Sequence, residues 1–486
     1  MVFSSYIFIF YFLPFSLLLY YPLPWRPARH FSLTVTSFLF YGWGSPQFLF
    51  LMIGTTLLDY LLGRVQAHNG FRNWRHPIHA LEPGGPRSHI QKAALLTALI
   101  VNIGLLGFFK YFNFSVDNYH ALMGWMGLSQ FQVENVMRVT LPIGISFYVF
   151  QEVSYAVDIY RGETKAMRSL NDYFCFVAQY QQMVAGPIVR YAELADQLEH
   201  RTHTLNKFAR GVALFSLGLA MKVLLANPCG KVADTVFNAG TVGPLEAWYG
   251  LVAYAFQIYF DFAGYSEMAI GLGLLMGFVF AKNFETPYKS QSITEFWRRW
   301  HISLSSMLRD YLYIPLGGNR KGEARTYINL LLTMLIGGLW HGASWNFLIW
   351  GGIHGGVLAV ERARGGENSY SRLPHVLRVG FTFAIILVSW VFFRSADLPS
   401  AANYLGSMFG LVPRQVGADL ISGLLYQPFY IFNMMLAAIV VWACPSAWEW
   451  TQNMTWPKVA FCLMVLWLSI SVLLTQSYNP FIYFIF

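Results

Sequence analysis

The chain has 486 residues, 56% of them hydrophobic and only 12% charged, against roughly 25% charged in soluble domains, and its mean hydropathy is +0.43. That composition excludes a soluble globular protein and predicts an all-α, polytopic integral membrane protein. The net charge of +9 does not require nucleic acid, because Lys and Arg gather in loops between apolar runs, where positive-inside sorting accounts for them.

Met1 to Tyr21 has neither a basic leader nor a small-residue cleavage site, which predicts a retained first helix. Further spans are expected near 31–62, 93–112, 139–159, 173–189, 208–226, 247–281, 328–360, 379–393, 428–443 and 459–475. At about 20 apolar residues per crossing, they make a bundle of about 11–13 membrane helices. The 31–62 run is cut by Gly42-Trp43-Gly44-Ser45-Pro46, a turn signal that predicts a helical hairpin. The 247–281 and 328–360 runs are too long for one straight span and short for two, so broken or re-entrant helices beside a cavity are expected there. Loops 64–92, 161–172, 282–327 and 361–378 are rich in Lys and Arg and read as cytoplasmic, whereas 113–137, 227–246 and 395–427 read as external. No repeat or linker divides the sequence, so residues 1–486 are read as a single membrane domain. Within it, 282–327 is a cytoplasmic loop with an amphipathic helix and 328–360 a histidine-bearing region.

In the first of these, Ser292-Ile293-Thr294-Glu295 fits a capping box that starts a helix. Phe296, Trp297, Trp300, Leu304, Met307, Leu308 and Tyr311 then form an apolar stripe beside Arg298, Arg299 and Arg309, and Pro315-Leu316-Gly317-Gly318 ends it. On one continuous helix, Trp297, His301 and Ser305 share a face.

Residues able to do chemistry are few. His341 follows the apolar run Leu330 to Leu339, and an ionisable group at membrane depth is a functional candidate by default. A histidine that only fixes helix packing is the plain alternative. Periodicity leaves His301 balanced between function and interfacial anchoring. His354 is a second-rank candidate. On a continuous helix it lies about 20 Å and roughly 140° from His341, and the glycines around it serve close helix packing. Asp261, inside Tyr259-Phe260-Asp261-Phe262, either orients a histidine or arginine or forms a structural ion pair. Arg298, Arg299, Arg320 and Lys321 are candidates for holding the phosphates of a cytoplasmic donor, although a basic loop needs no ligand to explain it. Cys175, Cys229, Cys444 and Cys462 keep no metal-ligand spacing, so no metal site is expected. Hydrolase, zinc-protease and nucleotide-binding motifs are missing from the sequence, whereas a lone buried imidazole suits acyl transfer to a hydroxyl.

The segment EFWRRWHISLSSMLRDYLYIPLGGNRKG together with GGLWHGASWNFLIWGGIHG resembles the membrane-bound O-acyltransferase family, in its alginate O-acetyltransferase membrane-subunit branch. The opening MVFSS, QMVAGPIVRY at 182–191 and YFDFAGYSEMAIGLGLLMGF at 259–278 resemble the same branch, so the likeness runs along nearly the whole chain. It implies a helix bundle around a central funnel, with His341 on the position of the family's invariant histidine and His301 on its second motif histidine. It also implies transfer of an acetyl group from a cytoplasmic donor, acetyl-CoA, with no permanently bound cofactor. An extracytoplasmic partner of the serine-hydrolase-like type would then serve an exported polysaccharide such as alginate or cellulose. The location implied is the bacterial inner membrane, with the lipid bilayer as surroundings. D-alanyl transfer toward teichoic acid, and a transporter with a proton-relay histidine, remain as other readings.

Overall fold

The computed structural model describes residues 1–72, 74, 76–133 and 135–482. All regular structure among them is helical, as expected of backbone that must satisfy its own hydrogen bonds in lipid. Five helices are long and apolar enough to cross a membrane, namely Pro46–His68, His89–Trp125, Leu205–Phe237, His375–Arg394 and Trp456–Thr475. A pair bent by 70°, Ala418–Leu425 with Pro428–Ala443, makes a sixth if it is one span. The remaining expected spans are shorter, broken or interrupted by polar residues.

The chain divides into two compact units, Met1–Thr202 and His203–Phe486. In the first, the expected hairpin forms as Arg26–Gly42 and Pro46–His68, with Pro46 at the start of the second helix, where a missing N–H costs nothing. The expected span 173–189 is instead two short helices, Leu170–Ala178 and Tyr180–Met183.

The second unit holds every candidate site residue. Its helix Leu205–Phe237 runs well into the expected external loop, which therefore begins only after Phe237. A π-turn at Met221–Ala226 precedes Pro228 and absorbs the ring that would otherwise break an α-helix. The expected break in 247–281 does not occur: Pro244–Leu275 is one continuous helix. Its glycines serve close approach instead of bending. A Cβ at Gly264 would stand 2.6 Å from the Gly218 carbonyl oxygen, and one at Gly271 2.6 Å from that of Gly211. The 328–360 run does break, into Glu323–His341 and Trp345–Ala363, two helices packed as an antiparallel hairpin with His341 at its tip.

Candidate active site

The one helix expected between the Ser292 cap and Pro315 is instead two, Ile293–Arg299 and Ile302–Leu308, the second passing into a π-turn at Arg309–Tyr313. Ser292 Oγ accepts from the Glu295 N–H at 3.0 Å as the capping box requires, while Glu295 reaches back to the Gln291 N–H at 2.7 Å. Glu361, buried at the end of the Trp345–Ala363 helix, completes the cap by accepting from the N–H groups of Ile293 and Thr294, each at 2.8 Å. Periodicity could not show this because the third partner is 67 residues away along the chain.

The break falls on His301, whose φ of 44° and ψ of 56° are left-handed. This conformation costs a non-glycine residue about 1–2 kcal/mol, and Trp297, His301 and Ser305 consequently do not share a helical face. Asn283 holds the bend: its carbonyl accepts from the Ile302 N–H at 2.9 Å, and its side-chain Oδ1 accepts from Ser303 Oγ at 2.9 Å. The same Oδ1 lies 3.2 Å from His301 Nδ1 and can only accept, so Nδ1 carries the proton and Nε2 keeps a lone pair. That Nε2 is buried and meets no hydrogen-bond partner among the described residues. His301 lies on the 282–327 stretch, outside the spanning helices, and burial lowers its pKa, so the ring is a neutral imidazole.

His341, half-buried, ends its helix against Trp350 and Phe393, with ring centroids 5.2 Å away in each case. With Phe262, Trp300 and Trp390 these rings line a narrow cavity of about 10 Å3, enough room for about one water molecule. The two motif histidines approach the same wall. Phe262, which lines that cavity, sits 4.6 Å from the His301 ring, and Trp340 lies 6.3 Å from His301 and 5.0 Å from His341.

His354 is reached through Trp350, 4.8 Å from its ring, because the helix break at 342–344 folds the second helix back beside the first. Both of its nitrogens are engaged: Nδ1 accepts from Trp297 Nε1 at 3.3 Å, and Nε2 donates to Ser389 Oγ at 3.0 Å. Ser389 passes its own proton to the Ile386 carbonyl at 2.7 Å. Asp261 is not beside a histidine or an arginine. It pairs with Lys222 at 2.9 Å and accepts from the Ile482 N–H at 2.8 Å, holding segment 478–482 so that Ile482 closes one side of the His341 cavity.

The four basic candidates separate. Arg298 lines a cavity of about 410 Å3 with Thr294, Tyr313, Asn319, Thr326 and Arg362. Arg299 pairs with Glu295 at 2.6 Å, and Arg320 and Lys321 are exposed. Arg362 escaped the sequence reading because nothing local sets it apart from its basic neighbours; only its position opposite Arg298 does. Trp350 and Trp390 were likewise not singled out from the sequence. Among the described residues, no group of three or more His, Cys, Asp or Glu side chains could hold a metal ion.

The chain is thus a helical membrane protein with one motif histidine lining an aromatic-walled cavity and a second packed behind Phe262 of that wall. Residues 91–392 match the model of the membrane-bound O-acyltransferase family, and the chain belongs to that family of enzymes. It is 44% identical to a probable alginate O-acetylase of Pseudomonas putida, the match covering 100% of both chains. It is 33% identical to a peptidoglycan O-acetyltransferase of Helicobacter pylori over 100% of this chain and 98% of that protein. To a teichoic acid D-alanyltransferase of Streptococcus thermophilus it is 26% identical, over 62% of this chain and 82% of the relative.

Proposed function

We propose that this O-acyltransferase moves an acetyl group from acetyl-CoA on the cytoplasmic side toward a hydroxyl of an exported polysaccharide such as alginate or cellulose. An extracytoplasmic serine-hydrolase-like partner completes delivery, and the protein works in the bacterial inner membrane. The observation that carries the reading is His341 in the wall of a cavity enclosed by aromatic rings, on a chain of this family. Acetyl is favoured over D-alanyl because the two O-acetylating relatives match the whole chain at higher identity than the D-alanyl one.

Arg298 and Arg362 would hold donor phosphates at the larger cavity. From Thr326 in that cavity's wall to His341 the helix rises about 22 Å, a distance that needs a long, thin arm carrying the thioester. Coenzyme A has such an arm. At the narrow cavity, His341 takes the proton of the attacking hydroxyl as its oxygen adds to the thioester carbonyl. The tetrahedral intermediate then collapses, the C–S bond breaks, and the departing thiolate recovers the proton from the imidazolium. His301, with its spare lone pair on the same wall, supports that proton transfer. His354 and Asp261 act as positioning residues, one for Trp297 and the other for the Ile482 segment.

The reading is tested by incubating membranes with acetyl-CoA labelled in the acetyl group and following label into acceptor. Transfer by the wild-type protein and its loss in His341→Ala at equal abundance is the expected result. Movement of acceptor across the membrane without covalent label would favour the transporter instead.

A further inference from the structure

Trp297 and Trp390 both pack on the Trp350 ring, beside His354 and His341, and the three indoles differ in one respect. The indole of Trp297 donates to His354 Nδ1 and that of Trp390 donates to Tyr288 Oη at 3.2 Å. Trp350 is 1% exposed, and its Nε1 meets no acceptor among the described residues. An indole nitrogen is a donor only, and buried N–H groups left without an acceptor are rare enough to demand a reason. Trp350 is one of the rings lining the His341 cavity. Its ring is fixed on several sides, by Trp390 stacked at 6.1 Å, Phe393 at 5.1 Å and His354 at 4.8 Å. The network that satisfies His354 therefore also holds Trp350 in place.

We infer that Trp350 is a catalytic residue whose indole N–H receives the oxyanion of the tetrahedral intermediate. This rests on the acyl-transfer reading above and supplies what that reading lacks, a donor for the charge that develops on the carbonyl oxygen. As the hydroxyl oxygen bonds to the carbonyl carbon and its proton passes to His341, the C=O electron pair moves onto oxygen. The Trp350 N–H meets that oxygen, and the pair returns as the C–S bond breaks and thiolate leaves. A fixed donor in a site walled by aromatic rings needs no reorganisation at the moment of reaction, the condition under which such a bond acts more strongly in the transition state than in the ground state.

The test is steady-state kinetics of the full-length protein in lipid nanodiscs, with labelled acetyl-CoA and a soluble polysaccharide acceptor, its partner added if turnover requires it. Trp350→Phe keeps a large aromatic ring and removes the N–H. The expected result is a fall in kcat of roughly 10²–10³-fold with the KM for acetyl-CoA unchanged, a split that a merely loosened wall would not give. Wild-type kcat in Trp350→Phe overturns the inference. Should that variant fail to accumulate, Trp350→His and Trp350→Leu decide. Histidine, which restores an N–H, should turn over at least about tenfold faster than leucine, and equal rates overturn the inference. His341→Ala, run alongside, separates the two levels. If it is inactive while Trp350→Phe is not impaired, only the oxyanion role fails. An active His341→Ala, or a wild-type protein that transfers no acetyl group, overturns the reading and the inference together.

Discussion

His301 and His354 are both completely buried, both neighbour a tryptophan, and both lie in the second unit, yet they are opposite kinds of histidine. His354 sits within a regular helix with each nitrogen paired, one accepting and one donating. His301 sits on a left-handed kink between two short helices, with its proton fixed on Nδ1 by Asn283 and Nε2 meeting no hydrogen-bond partner among the described residues. Paired valence fixes a wall. Spare valence, kept at the expense of a strained backbone, is what a reaction can use. On the proposed mechanism His341 falls on the reactive side of this comparison by place, since it lines the cavity that His354 only buttresses through Trp350.

The largest effect is expected where the reactive side is cut. His341→Ala should lower acetyl transfer by about 10²–10⁴-fold, read as acetyl content of the polymer beside an immunoblot showing normal protein in the membrane. Retained acetylation at normal abundance would remove His341 from the mechanism. His301 should follow at roughly 10²-fold, and here backbone and ring can be separated. His301→Gly relieves the left-handed strain while His301→Ala keeps it, so the glycine variant should be at least as stable although both lose the same rate. If His301→Gly keeps its activity, the kink matters and the imidazole does not.

Arg298→Ala and Arg362→Ala test the other end of the hairpin and should each raise the KM for acetyl-CoA roughly tenfold, the equivalent of about 1.4 kcal/mol, with kcat little changed. A fall in kcat at constant KM would move the donor elsewhere. The smallest effect on chemistry is expected at His354. His354→Ala strands the Trp297 N–H and takes a partner from Ser389, so the cost of about 1–3 kcal/mol per stranded group should appear as a lower unfolding temperature. The rate per folded molecule should fall far less than in His341→Ala, because Trp350 keeps Trp390 and Phe393 beside it. A loss of rate as large as that of His341→Ala, at undiminished stability, would erase the distinction between the two kinds of histidine.

The amino-acid sequence alone determined the class of molecule and most of its apolar segments, because hydropathy, turn residues and span length are local properties that lipid enforces residue by residue. It determined the hairpin at Gly42 to Pro46, marked by turn-forming residues, and a break within 328–360, marked by the length of the run, and it brought out His301 and His341 through their motifs. It misled at 247–281, where a run too long for one straight span is nevertheless one continuous helix, and at His301, where an unbroken stripe hid a bend held by Asn283. Only the tertiary structure decided that Asp261 pairs with Lys222, that Arg362 lines the same cavity as Arg298, and that Trp350 finds no acceptor among the described residues while the Trp297 and Trp390 indoles that pack on it do. The reason is the same in each case: whether a buried polar atom is satisfied depends on partners brought together by packing, and hydrophobic periodicity carries no information about them.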